Sequence, residues 1–196
     1  GDHFERCSVI NRYGGALYVA GLNTTIAHSN FTLNSANGTE ARGGSIDIQG
    51  DDTTISCCNF MKCVAYEGGA IYVNGTNAVI DNSTVTFSLA YANGGAVYVA
   101  GENATISNSQ MTLNNATDYG GAVYVSGSSA LINNTAFTMC AAQNKHGGAI
   151  FVAGLNTTIS YSNFTQNSAN GTGAHGGAID VSGNDTTIYK CIFDRC

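Results

Sequence analysis

The chain has 196 residues, of which 10% are charged, with no proline, seven cysteines and a formal net charge of -6. That length is one domain's worth, and residues 1–196 are expected to form a single domain. The charge balance argues against nucleic acid as a partner, no apolar run is long enough to cross a membrane, and no signal-peptide pattern is present, so that Gly1-Asp2-His3-Phe4 reads as the opening of a mature or excised product.

The first residues, Phe4-Glu5-Arg6-Cys7, read as a strand and match Phe193-Asp194-Arg195-Cys196 at the other end. Residues 1–13 form a partial turn. From there one pattern is written seven times, in turns of 25–29 residues that open on Gly pairs at 14/15, 43/44, 68/69, 94/95, 120/121, 147/148 and 176/177. A period of this size marks a solenoid, in which each turn is stable only when stacked on its neighbours.

Within each turn the elements come in fixed order. In Gly14 to Val19, Leu17 and Val19 point one way and Ala16 and Tyr18 the other, the period-two signature of a strand. A Gly comes next without exception, at 21, 50, 75, 101, 127, 154 and 183, a corner that requires φ > 0 or close backbone approach. A second strand carries an all-Ile column, Ile26, Ile55, Ile80, Ile106, Ile132, Ile159 and Ile188. A third carries Phe31, Phe60, Val85, Met111, Phe137, Phe164 and Phe193, each seventeen residues after its first Gly. The closing position is Asn34, Cys63, Ser88, Asn114, Cys140 or Asn167. The stretches between it and the next Gly pair, such as Ser35 to Arg42 and Ser168 to His175, vary in length and read as loops from one corner. Three short strands per turn predict an all-β, three-sided parallel β-helix of about seven turns, a rod of roughly 35 to 40 Å. The absence of proline fits, since central strands need their amides.

Gly-Gly-Ala-aliphatic paired with Phe-x-x-Asn, as in Phe31-Thr32-Leu33-Asn34 and Phe164-Thr165-Gln166-Asn167, resembles the repeats of chlamydial polymorphic outer-membrane proteins. The Asn- and Thr-rich filling, as in Gly21-Leu22-Asn23-Thr24-Thr25-Ile26, is similar to adhesin-like and envelope proteins of methanogenic archaea. The resemblance covers nearly the whole chain. It implies a right-handed parallel β-helix, extracellular or at the cell surface, in adhesion or envelope structure. The chain differs from the chlamydial pattern in placing cysteine at four closing positions.

A longer period lies beneath the first. Gly21 to Thr39 recurs at Gly154 to Thr172 and the stretch from Ile46 to Cys63 at Ile179 to Cys196, a shift of 133 residues or five turns. Cysteines keep the same rhythm: Cys7, Cys63, Cys140 and Cys196 hold the closing column, and Cys58 and Cys191 hold a column otherwise filled by Ser or Thr. Closing cysteines are at least two turns apart, beyond disulfide reach. Three readings stay open for Cys7, Cys58, Cys63, Cys191 and Cys196. They are thiols in an interior ladder, local C-x4-C disulfides across a tight corner, or interchain bridges near the chain ends. No His stands beside either C-x4-C, so no metal or other cofactor is expected.

Twelve Asn-x-Ser/Thr sequons occur, with Asn23, Asn37, Asn74, Asn103, Asn156 and Asn170 as candidate glycosylation sites; many are by-products of the repeat, yet their density suits a secreted protein. Tyr18, Tyr72, Tyr98, Tyr124 and Phe151 form an outward aromatic column, interrupted by Asp47 and Asp180. This column reads as a stabilising ladder, a lateral seam or a sugar-stacking platform. Neither end shows a cap, and unpaired strand edges are templates for addition. The third face counts eight strands and the others seven, so a simple join requires the N-terminal strand to be donated, or the chain to be cut from something larger.

Catalysis by a carbohydrate-active β-helix needs carboxylates gathered on one face. Asp51, Asp52 and Asp185 come after the obligatory Gly, where turn chemistry explains them; Arg42 and Glu67 read as an exposed cross-turn pair, and His146 and His175 share a column without a third ligand. The expectation is therefore a non-enzymatic extracellular structural protein that self-assembles with copies of itself into a fibre, sheath or surface layer. The alternative is a cell-surface adhesin segment that binds glycans or other surface proteins.

Overall fold

A computed structural model describes residues 1–196. Its 29 short strands, numbered in chain order, run parallel in four sheets, and no helix is present. The partial turn supplies β1 (His3–Glu5) and β2 (Ser8–Ile10). The first full turn supplies β3 (Leu17–Val19), β4 (Thr25–Ala27), β5 (Asn30–Thr32) and β6 (Ser35–Asn37), and later turns repeat that set. The β-solenoid is as expected, but each turn has four strands rather than three. The fourth begins directly after the closing residue, in the stretch expected to be loop. Its inward position is Ala, at Ala36, Ala65, Ala90, Ala116 and Ala142, each essentially inaccessible. The sheet that contains β1 and β5 has eight strands and the other three have seven.

Equivalent residues pair across every turn. Phe4 lies against Phe31 and Phe31 against Phe60, while Ile26 pairs with Ile55 and Leu17 with Ile46. Differences in turn length are absorbed between the fourth strand and the next Gly pair, so the core keeps one register. That core is one continuous cluster of 33 buried residues. Phe rings stack face to face along it, Phe4 on Phe31 at 4.8 Å, Phe31 on Phe60 at 4.7 Å, Phe137 on Phe164 at 4.9 Å and Phe164 on Phe193 at 5.0 Å. Burying each such side chain contributes about 1.5–3 kcal/mol. The Ala ahead of the first strand, expected to face outward, joins the core at Ala70, Ala96, Ala122 and Ala149.

The glycines separate into two kinds. Gly43 and its equivalents bend the chain with φ near +60, +58 at Gly43 itself. The obligatory corner Gly is required by close approach instead: a Cβ at Gly101 would lie 2.1 Å from the Gly75 carbonyl oxygen.

Three further corners per turn are left-handed without glycine. The first column is Asn23, Asp52, Asn77, Asn103, Ser129, Asn156 and Asp185; the second is His28, Cys57, Asn82, Asn108, Asn134, Tyr161 and Lys190. The third is Leu33, Lys62, Phe87, Leu113, Met139, Gln166 and Arg195. All have φ between 45° and 58°. Asn side chains ladder along the first two, with Asn77 Nδ2 donating to Asp52 Oδ1 at 2.9 Å and Asn134 Nδ2 to Asn108 Oδ1 at 2.8 Å.

Candidate functional site

The residue just before each Gly pair forms a column at the variable corner. Tyr13, Arg42 and Glu67 of successive turns are joined there by parallel backbone bridges, Tyr13 to Arg42 and Arg42 to Glu67. This column folds back over the aromatic ladder of the first sheet. The Arg42 guanidinium lies 4.8 Å from the Tyr72 ring centre and 5.4 Å from that of Tyr13, with Nε 3.8 Å from Glu67 Oε2. Tyr119 covers Phe151 at 4.6 Å. As a result the ladder is not the open face that alternation suggests. Tyr18 is 56% exposed, but Tyr72 is only 5% exposed, Phe151 is also buried, and Tyr98 and Tyr124 are half-buried. Tyr72 stacks on Tyr98 at 4.9 Å and Tyr98 on Tyr124 at 4.7 Å. Burial pushes the phenols of Tyr72 and Tyr124 up to about 12. Arg42 and Glu67, read as an exposed pair, are instead partly covered and held between rings.

Between this column and the loop of the first turn lies a cavity of about 380 Å³, lined by Tyr13, Thr39, Glu40, Arg42, Tyr66 and Glu67. Tyr66 packs on a small cluster of Ala36, Ala41 and Ala65. Burial raises the Glu67 carboxyl, while Arg42 and a hydrogen bond from Asn93 pull it back. Beneath, Asp47 is fully buried in the aromatic column. Desolvation raises its pKa to about 6, although Gln49 Nε2 donates to its Oδ1 at 2.5 Å and Arg42 is near; its Oδ2 has no partner. Sequence reading singled out Asp47, Arg42 and Glu67 but missed Tyr13, Glu40 and Tyr66. Tyr13 shares the Arg42 column and Tyr66 precedes Glu67, so the cross-turn register would have placed both.

The remaining carboxylates do not converge. Asp51 accepts the Thr76 N–H at 2.7 Å, which holds its pKa below the usual range, and Asp52 and Asp185 occupy the left-handed corner. His146 and His175 do lie together, rings parallel at 4.9 Å, with the His175 N–H donating to His146 Nδ1 at 2.9 Å. Asp180 Oδ2 is 3.9 Å from that Nδ1. Nowhere do three His, Cys, Asp or Glu side chains meet in a metal-binding arrangement.

A family model described as a right-handed beta helix region matches residues 44–196, most of the chain. The chain belongs to the right-handed β-helix family. No curated protein and no solved structure matches it.

In this right-handed β-helix all seven cysteines are unpaired. Cys58 and Cys63 are buried on either side of the extended strand Asn59–Met61, so the tight corner that a local C-x4-C disulfide needs is not made. Both belong to hydrogen-bond columns. The Cys63 thiol donates to the Phe31 carbonyl at 3.7 Å, the bond that the Asn34 amide makes to Phe4 at 3.1 Å one turn earlier. Cys7 and Cys191 are partly exposed and Cys196 is exposed.

The six candidate glycosylation asparagines of the β-helix are all exposed. Several side-chain amides are nevertheless engaged, Asn74 with Gln49, Asn103 with Asn77, Asn156 with Ser129 and Asn170 with Gln143. Asn37 donates to Ser35 within its own strand.

Proposed function

We propose that this β-helix is a non-enzymatic structural protein, extracellular or at the cell surface, that joins end to end with copies of itself into a fibre, sheath or surface layer. One observation carries the reading: like stacks on like along the apolar columns, Phe4 on Phe31 and Phe31 on Phe60 in the early turns and Phe137 on Phe164 and Phe164 on Phe193 in the late ones. A recess of about 380 Å³ on the first turn is lined in part by Phe4, Leu17 and Ile26, and on the last turn Phe193 and Ile188, of the Phe4 and Ile26 columns, are exposed. Since every turn inside the rod stacks like on like, a further turn of the same kind suits either surface. Electron microscopy and sedimentation of concentrated protein test the reading. Filaments abolished by Phe193→Asp support it; discrete monomers at high concentration overturn it.

The corner cavity favours a second reading, that of an adhesin segment. Tyr13 and Tyr66 offer ring faces, and Glu40, Glu67 and Thr39 offer acceptors, a combination suited to a glycan. The chlamydial and methanogen likenesses of the repeat point the same way. Glycan-array binding that disappears in Tyr66→Ala supports this reading, and binding to no glycan removes it.

A further inference from the structure

Four Asn-Gly pairs occur in the chain: Asn37-Gly38, Asn74-Gly75, Asn93-Gly94 and Asn170-Gly171. In this dipeptide the glycine nitrogen readily attacks the asparagine side chain, because no Cβ obstructs the approach. The fold treats the four pairs in two ways. The Gly75 N–H donates to the Ile48 carbonyl at 3.2 Å and the Gly94 N–H to the Tyr119 carbonyl at 3.0 Å. Both nitrogens are thus tied into the bonds between turns, and both glycines are buried. The N–H groups of Gly38 and Gly171 donate to no protein atom. Gly38 is exposed and Gly171 partly exposed, in equivalent loops of the five-turn repeat, each within the sequence Ser-Ala-Asn-Gly-Thr. The loops also share a turn, closed by the Ala41 N–H on the Gly38 carbonyl at 3.2 Å and by the Ala174 N–H on the Gly171 carbonyl at 3.0 Å. Packing requires glycine at both positions: a Cβ on Gly38 would lie 1.9 Å from Asn11 Oδ1, and one on Gly171 1.8 Å from the Asn144 carbonyl oxygen.

We propose that Asn37 and Asn170 are self-modification sites, converted in the folded chain to aspartyl and isoaspartyl residues without an enzyme. The Gly38 or Gly171 nitrogen bonds to the asparagine Cγ and gives up its proton; the Cγ–Nδ2 bond breaks, ammonia leaves, and a succinimide ring remains. One water then opens the ring. Addition at Cγ gives aspartate, and addition at the backbone carbonyl gives isoaspartate, in which the main chain runs through the side chain and is one carbon longer. Either product carries one new negative charge. At Asn74 and Asn93 the attack first requires a bond between turns to break, whereas at Asn37 and Asn170 it does not. Their side-chain amides are held only at the surface, Asn37 Nδ2 by Ser35 Oγ at 3.1 Å and Asn170 Nδ2 by Gln143 Oε1 at 3.5 Å. Asn37 is the last residue of β6, its carbonyl accepts the Asn11 N–H at 2.6 Å, and Thr39 and Glu40 just beyond it line the corner cavity. Conversion there sets a new carboxylate and, in the isoaspartyl form, a lengthened main chain at the edge of that cavity.

The test incubates the whole folded chain, produced without glycosylation, in mildly alkaline buffer and follows aspartate and isoaspartate at each pair by peptide mass spectrometry. Asn37 and Asn170 are expected to convert at least about tenfold faster than Asn74 and Asn93. In urea all four are expected to convert at similar rates, since Asn37, Asn74 and Asn170 share the sequence Asn-Gly-Thr and only the fold tells them apart. Asn170→Gln, which keeps an exposed amide but must close a larger ring, is expected to stop conversion at that position and leave the rate at Asn37 unchanged. Conversion at either Asn37 or Asn170 no faster than at Asn74 and Asn93 in the folded chain, or the same preference persisting in urea, overturns the proposal.

Discussion

The Cys140 thiol donates to the Met111 carbonyl at 3.3 Å, in the place where Asn167, one turn later, reaches the Phe137 carbonyl with its amide at 3.0 Å. The Cys140 N–H in turn donates to Asn167 Oδ1 at 2.9 Å. Thiol and amide are alternatives in one ladder that joins successive turns through the closing column. Burial pushes the Cys140 thiol up to about 12. A thiolate is the reactive form, so Cys140 is expected to resist alkylation in the native protein, as are buried Cys58 and Cys63, whereas exposed Cys196 reacts. Iodoacetamide labelling mapped by mass spectrometry checks the order. Cys140→Ala, which removes the donor and leaves a void, is expected to cost about 1–3 kcal/mol in urea unfolding.

The obligatory Gly allows a paired comparison. A Cβ on Gly101 would lie 2.1 Å from the Gly75 carbonyl oxygen, but one on Gly21 would meet only the Thr24 hydroxyl, at 3.6 Å. Both corners have the same sequence role and neither has φ > 0. Gly101→Ala is therefore expected to cost about 3 kcal/mol or more, because backbone must move to admit the methyl, and Gly21→Ala less than about 0.5 kcal/mol. Thermal melts of the two variants check the difference. Equal effects would mean that backbone flexibility, rather than close approach between turns, is what selects Gly at this corner.

The Phe and Ile columns are legible in the sequence because their spacing from the Gly pair never changes and their side chains are large. The fourth strand is not, because its inward residue is only Ala and its neighbours follow no fixed pattern, from Ser35-Ala36-Asn37 and Asn115-Ala116-Thr117, with the composition of a loop, to Val64-Ala65-Tyr66. Ala36 and Ala65 are buried by their position between turns, which no local pattern reveals. The open aromatic face failed for a related reason. Alternation correctly puts Tyr72 on the outer side of its strand, but an outer side is solvent only where nothing folds over it, and Arg42 arrives from the preceding corner. The cavity around Tyr66 and Glu40 is invisible for the same reason, being built from three turns at once.

Asn167 also gives a test of ladder polarity. Its Nδ2 donates to the Phe137 carbonyl while its Oδ1 accepts from the Cys140 N–H, so only an amide satisfies both partners. Asn167→Asp turns the donor into an acceptor facing a carbonyl in a buried site. The expected loss is about 3 kcal/mol at neutral pH, and it shrinks on acidification as the carboxyl takes up a proton and regains a donor. Asn167→Ala is expected to lose about 1–3 kcal/mol without that pH dependence. Denaturant unfolding of both variants at acid and neutral pH distinguishes them.

Asp47 makes stability depend on pH in a direction opposite to that of a salt-bridged carboxylate. Burial raises its pKa from 3.8 to about 6, against the smaller opposing effects of Gln49 and Arg42. A raised folded-state pKa means that the folded chain holds the proton more tightly than the unfolded chain. The stabilisation is thus fully present below the unfolded value near 3.8 and is lost as pH rises through about 6. At about 1.36 kcal/mol for a tenfold change in proton affinity, the contribution of Asp47 falls by about 3 kcal/mol across this window. Asp47→Asn keeps the oxygen that accepts from Gln49 and removes the buried charge. The variant is expected to be more stable than the parent by up to about 3 kcal/mol at about pH 8 and to converge with it below about pH 4. Urea unfolding across that range measures the difference. A constant gap between the two proteins throughout would mean that the carboxyl titrates as an exposed group, and that Arg42 neutralises it despite its burial.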